Sequence, residues 1–294
     1  MNPFYGQINC QAITKSGTAC VNKAYYKTSD GTFNCGVHSD KANRTALKKN
    51  KDAINKAAAE IYSSHLKTLV CSPQRGKVIL TKMYMMKNPP LIEGYLNVFP
   101  NFKHQNRKDG FGCSSLSPKS MGPVNHGQPG LPPAKNLENF HQGNKCFPVE
   151  ITDGKPNKMF YANRLKMYND SVPHRHKVDT AGKRISKENK PVCSIYVDKE
   201  GVEKQLSYVE SRQLYCKFYE LFTRTNNDFY VLEEKLNQGY NLNICGYDAY
   251  RPDQNLERCY LDDTKPFGHE LVLYCLLTQK NPYPWDLHQT LNFL

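Results

Sequence analysis

Tryptophan is nearly absent from this 294-residue chain, which holds only Trp285. Acid is in deficit as well, with 27 Asp+Glu against 40 Lys+Arg and a formal charge of +13. No apolar run approaches the ~20 residues that cross a bilayer, so no membrane partner is expected. The opening MNPFYGQINCQAITKSG lacks the charged-then-apolar order of an export signal, and an intracellular location is the expectation. Eleven cysteines, an odd number without such a signal, speak against a closed disulfide framework and for reduced thiols, some of them holding metal. The remaining composition leaves room for a sizeable buried core.

The charge is concentrated at one end. Residues 1–90 hold 14 Lys+Arg and 4 Asp+Glu, whereas residues 91–294 hold 26 and 23. A concentrated basic segment draws phosphate polymers or an acidic protein surface by long-range electrostatics. Charge alone is equally compatible with a solvated lysine-rich surface.

Within that end, Cys10, Cys20, Cys35 and His38 lie in CQAITKSGTAC, fourteen further residues and CGVH. Three thiolates and one imidazole complete a closed tetrahedral zinc site, and Cys35-x-x-His38 has the spacing of a tight knuckle. Gly17 and Gly36 stand where such turns need unusual backbone angles, and Asp30-Gly31 predicts a hairpin between the ligand pairs. Few large aliphatics occur here, so structural zinc would supply the core. The pattern C-x-A-I-T-K-x-G-x-x-C followed by C-G-x-H resembles a small zinc-binding module recurrent in proteins of large DNA viruses and phages. That resemblance covers about residues 8–38 and implies recruitment rather than catalysis.

Ser39 and Asp40 open a predicted helix over about 40–68. Leu47, Ile54, Ala58, Ile61 and Leu66 share its apolar face, and Lys41, Arg44, Lys48, Lys49, Lys51 and Lys56 occupy its other positions. Such a helix suits a nucleic-acid clamp and equally an ordinary solvated helix on a domain. The expected organisation is a zinc module at 1–40, a basic helix or linker at 41–75, and a larger domain at 76–294.

The larger domain reads as α+β, dominated by helices after residue 130. Lys77 to Met86 suits a strand, and the Gly- and Pro-rich stretch 100–135 an ordered loop that covers something. In NLENFHQGNKCFP, a continuous helix places Glu138, His141 or Gln142, and Lys145 on one face. On an exposed helix that is a charged stripe. Leu137, Phe140, Cys146 and Phe147 around it predict a buried helix that carries polar groups into a cleft. HRHK at 174–177 predicts a surface loop, either a solvated linker or a segment in which Arg175 or Lys177 meets phosphate. Ser207-x-x-Glu210 is a capping box, Asp228 is expected to cap a helix ending at Gly239, and NLNICGYDAY reads as a buried strand.

The spacing of Glu138, Gln142 and Lys145 resembles the E-x-x-x-Q-x-x-K helix of the NADAR superfamily, whose members act on NAD- and ADP-ribose-related glycosides. Across roughly 134–280 the order is similar, with Asp263 preceding Phe267-Gly268 where the family has an acid before Trp-Gly. The chain departs by Pro266-Phe267 in place of that tryptophan and by added sequence around 150–205. The stretches PHRHK, GYNLNICGYDAY and PFGHELVLY resemble proteins of large DNA viruses, which implies an infected host cell as the location, or the virion.

The NADAR resemblance implies an N-glycosidase that cleaves a ribose–base bond, with an ADP-ribose-like ligand. It implies Glu138, Lys145 and Asp263 as catalytic residues. Asn136, His141, Gln142, Asp262, Phe267, Gly268 and His269 would bind substrate, with Phe267 stacking on a base. The competing expectation is a non-enzymatic structural or DNA-associated zinc protein.

Overall fold

The computed structural model describes residues 8–24, 26–28, 30–40, 52–53, 56–57, 59–69, 71–83, 89–176, 190–252 and 255–289. The chain forms two compact units, Met1–Ser64 and His65–Leu294, whose boundary falls inside the expected basic linker. No helix among the described residues is long and apolar enough to cross a membrane.

In the first unit, β1 (Tyr26–Lys27) pairs antiparallel with β2 (Phe33–Asn34). Their turn is the Asp30-Gly31 step, with Gly31 at φ +84°. Hydrogen bonds from Thr28 and Thr32 hold the Asp30 carboxyl down at about 2. Gly17 has a positive φ of +79°, whereas Gly36, expected to need one, does not. Helical residues appear at 52–53, 56–57 and 59–66. Two members of the expected apolar face, Ile61 and Leu66, are 61% and 42% exposed, so they do not face a core. Leu47, Ile54 and Ala58 lie outside the described residues, as do Lys41, Arg44, Lys48, Lys49 and Lys51.

The second unit is mixed α/β. It runs β3 (Val78–Lys82), β4 (Tyr95–Phe99), β5 (Phe111–Gly112), α1 (Leu137–Gly143), β6 (Lys145–Cys146), β7 (Ile151–Thr152) and β8 (Lys155–Pro156). There follow α2 (Lys158–Asn169), β9 (Cys193–Val197), β10 (Glu203–Leu206), α3 (Tyr208–Thr223), α4 (Asn227–Asn237), β11 (Asn241–Gly246), α5 (Leu256–Leu261), α6 (His269–Thr278) and α7 (Pro284–Leu287).

Four strands form a parallel sheet in the order β3-β11-β4-β5. β11 is its most buried strand, with Leu242, Ile244 and Cys245 fully enclosed, as strands covered on both faces require. Its interior Asn243 is satisfied across the sheet, donating to Asn97 Oδ1 at 2.8 Å and accepting from Thr81 Oγ1 at 2.7 Å. The apolar α6 packs on β3, β11 and α3. A second sheet, order β10-β9-β6, is antiparallel.

Local signals account for several boundaries. Both halves of the capping box at Ser207 and Glu210 are formed, opening α3. Asn226, not Asp228, caps α4, because its side chain accepts from the Asp228 N–H while Asp228 lies in the first turn. The 100–135 stretch is ordered and folds over α1: His126 accepts from Gln128 N, contacts Pro132 O at 2.9 Å and stacks on Phe140. His176 departs from the expected surface loop. It is 2% exposed and meets the buried Glu150 carboxylate at 2.8 Å.

Gly239 follows α4 in the left-handed region at φ +88°, and a Cβ there would run into the Ser72 backbone. Gly239→Ala is expected to lose about 1–3 kcal/mol from backbone strain alone, before the clash. A fall in the urea midpoint at unchanged slope checks this.

Candidate functional site

The first cluster is built by backbone pairing around short loops. Cys10 N donates to Asn22 O at 2.8 Å, Cys20 N to Ala12 O at 3.0 Å, and His38 N to Cys35 O at 3.1 Å, which closes the knuckle. The ligand atoms of Cys10, Cys20, Cys35 and His38 all lie within 4.8 Å of one another, so this cluster can hold a metal ion. His38 Nδ1 stands 3.5 Å from Cys10 Sγ and 3.4 Å from Cys35 Sγ. A tetrahedron with metal–sulfur and metal–nitrogen bonds of zinc length has edges of about 3.6–3.8 Å. The buried core of this cluster consists of the three thiols with Ala12 packed against them, so a bound ion would carry the packing. Burial raises the Cys35 thiol, but backbone N–H groups of His38 and Val37 and the neighbouring thiols bring it down to about 6. Because the ligands bind deprotonated and a bound ion competes with protons for them, metal is expected to be retained at pH 7 and released only in more acidic solution, below the value at which the metal-free thiol takes up its proton. Metal content after dialysis at graded pH checks this.

A second cluster gathers at α1 and β6. Asn136 caps the helix by accepting from Asn139 N at 2.8 Å. Glu138, His141 and Gln142 emerge half-buried on one side, Gln142 Nε2 donating to Glu138 Oε1 at 3.3 Å. The His141 ring lies 4.9 Å from that of Tyr215 on α3. Lys145 is not on the helix, as its spacing had led one to expect. α1 ends at Gly143, the Asn144 side chain bonds back to Phe140 O at 3.0 Å, and Lys145 starts β6. Burial pushes its ammonium down to about 8, against the opposing pull of Glu138 and Asp248 and alongside repulsion from Arg175. Burial, with the positive charges of Lys145 and Arg212, holds His141 well below the ordinary imidazole range.

The carboxyl end of β11 supplies the third part. Two residues after Gly246 comes Asp248, whose side chain lies beside Gly268 at the N-terminus of α6, while Tyr247 turns to His104. Glu270, in the first turn of α6, is 1% exposed, and burial raises its carboxyl, offset only in part by His269. Its Oε2 is 3.1 Å from His269 Nδ1, without an aligned hydrogen bond, while His269 Nε2 lies 3.1 Å from Pro100 O. Burial raises the Tyr215 hydroxyl, with Tyr219, Glu138 and Glu270 adding to it. Lys145 thus feels Glu138 and Asp248, and Tyr215 feels Glu138 and Glu270, which links these groups electrostatically; Asp248 and Glu270 themselves stand at the carboxyl end of β11, the usual location of ligand sites in parallel sheets.

The remaining expected residues are placed differently. Asp262 and Asp263 lie on the turn after α5. There Asp262 accepts from Thr264 N at 3.0 Å and is held low by Thr264, while Asp263 is exposed. Phe267 is 4% exposed, edge-on to Tyr260 at 5.4 Å and near Trp285 at 6.5 Å, so it packs as a core residue. Gly268 caps α6, where a Cβ would crowd Glu270. Asp248, Tyr215 and Glu270 are the members that sequence reasoning missed. Glu270 had a signal: it is the one carboxylate in the otherwise apolar helix HELVLYCLLT.

The chain matches no family model, no curated protein and no solved structure.

An amine-acylating reagent is expected to label Lys145 with a midpoint near pH 8, well below surface lysines. Since Glu138 favours the ammonium, Glu138→Gln should move that midpoint lower still. Peptide mass spectrometry across pH 6–11 reads both.

Proposed function

We propose that this chain is an N-glycosidase-like hydrolase of ADP-ribosyl- or ribosyl-nucleobase bonds, carried to nucleic acid or an acidic protein partner by a basic, zinc-holding N-terminal module. The observation that carries the hydrolase reading is the desolvated Lys145 in the field of Glu138 and Asp248, with the buried Glu270 also in the field of Asp248. Cleaving a ribose–base bond adds hydroxide to the anomeric carbon and a proton to the departing base. The intermediate positive charge on the sugar calls for a nearby carboxylate, and the base calls for an acid. Glu138 suits the first role, positioning the sugar or activating water. Glu270, whose carboxyl is raised by burial, suits the second. Lys145, still largely charged at pH 7, suits a phosphate anchor, and its neutral fraction a Schiff-base nucleophile. The relation to the NADAR superfamily and to proteins of large DNA viruses belongs to this proposal, as does residence in an infected cell or a virion.

Zinc is the metal that fits the first cluster. Three thiolates and one imidazole leave no open position, so its role there is structural. Around it, Cys35 N donates to Cys10 Sγ at 3.3 Å and Asn22 Nδ2 to Cys35 Sγ at 3.9 Å, contacts that suit thiolates.

A second reading, a non-enzymatic DNA-associated zinc protein, is favoured by the exposure of Asp263 and by the packing of Phe267 against Tyr260 as a core residue, neither being the placement that the hydrolase expectation calls for.

Incubation with ADP-ribosylated DNA and with free ribosyl-bases, followed by chromatography of released base, separates the two. The hydrolase reading expects turnover that falls about 10²–10⁴-fold in Glu138→Ala. Absence of turnover, or turnover unchanged in that variant, leaves the scaffold reading. For the module, one zinc per chain and a nucleic-acid affinity that drops steeply with salt are expected, with both lost in Cys20→Ser.

A further inference from the structure

Eight cysteines lie outside the metal cluster, and two of them are not fully buried. Cys71 is exposed, and Cys193 is half-buried. Cys193 begins β9, whose antiparallel register with β6 sets it directly opposite Cys146, with Ser194 opposite Lys145 one step along. Directly opposed residues of an antiparallel pair have Cα atoms about 4.5 or 5.5 Å apart. Both spacings fall inside the roughly 4.4–6.8 Å that a disulfide spans, so the backbone needs no rearrangement to be bridged.

The two side chains also share one environment. Cys146 is fully buried in a small cluster with Phe160 and Ile195, and Cys193 packs against that cluster from its partly open side. Each sulfur is the principal influence on the other, lowering the Cys193 thiol and raising that of Cys146. The accessible sulfur is thus the readier thiolate and the enclosed one keeps its proton, the division of labour found in an attacking and a resolving thiol.

We propose that Cys146 and Cys193 form a dithiol–disulfide site oxidised by hydroperoxides. The Cys193 thiolate attacks the peroxide oxygen, an S–O bond forms as O–O breaks, and hydroxide leaves and takes up a proton. The Cys146 sulfur then attacks Cys193 sulfur of the sulfenic acid, and the hydroxyl departs with the thiol proton as water. In sum, two thiols and one hydrogen peroxide give one disulfide and two waters. The bond staples β6 to β9 beside Lys145 and Ser194, which places the oxidation state of this pair next to the candidate site without requiring that site to be a hydrolase.

The test uses the full chain with its metal bound. It is exposed to graded hydrogen peroxide, blocked with N-ethylmaleimide, digested without reductant and mapped by mass spectrometry. The expected product is a linked peptide pair joining Cys146 to Cys193, reversed by dithiothreitol and formed about tenfold or more faster than any modification of the buried Cys216. In Cys146→Ser, a sulfenic acid on Cys193 should accumulate and be trapped by dimedone, whereas Cys193→Ser should lose both trapping and cross-link. Recovery of Cys146 and Cys193 as maleimide adducts while the exposed Cys71 is oxidised overturns the proposal, and so does linkage of Cys193 to any other cysteine. Because the wild-type peptide map decides alone, a serine variant that fails to fold does not rescue it.

Discussion

Glu270 and Gly246 occupy one space between α6 and the parallel sheet, and much of the second unit depends on that fit. A side chain at position 246 would collide with the Glu270 carboxylate, so glycine there lets a buried acid sit against the end of β11. An isolated carboxyl in that position is costly unless it stays neutral or finds donors. The fold answers with His269 beside it and with the Asp248 backbone. Retaining an acid in a helix that is otherwise apolar spends stability, and such expense is concentrated where groups act rather than merely pack.

The two units are held together by different physics. In the second, Trp285, Tyr168, Tyr219, Tyr260 and a series of leucines are fully enclosed, and hydrophobic burial over many side chains provides the driving force. In the first, Ile13, Val21 and Val37 are exposed, and the enclosed cluster is three thiols. An ion held by that cluster would supply the packing that apolar burial supplies in the second unit.

Legibility followed sequence distance. The ligands Cys10, Cys20, Cys35 and His38 and the Asp30-Gly31 turn were readable because loops of a few residues decide their geometry. The box at Ser207 and Glu210 was readable for the same reason. Lys145 was placed on a helix by its spacing, yet the helix stops two residues earlier, where the Asn144 amide bonds back to Phe140. The lysine still reaches the same neighbourhood from a strand. His176 looked like part of a solvated basic run, but the Glu150 carboxylate that draws it inward lies 26 residues away and has no local signature.

By itself the sequence determined the set of three thiols and one imidazole that can hold a metal, the uneven charge, several helix starts and the burial of NLNICG, because each is fixed by residue type at short range. Tertiary structure alone decided the parallel pairing of β11 with strands about 150 residues earlier, the approach of Lys145 to Asp248, and the facing of Cys146 by Cys193. Those juxtapositions arise when distant segments bury their apolar faces together, and the free energy that selects them belongs to the packed whole rather than to any stretch of chain.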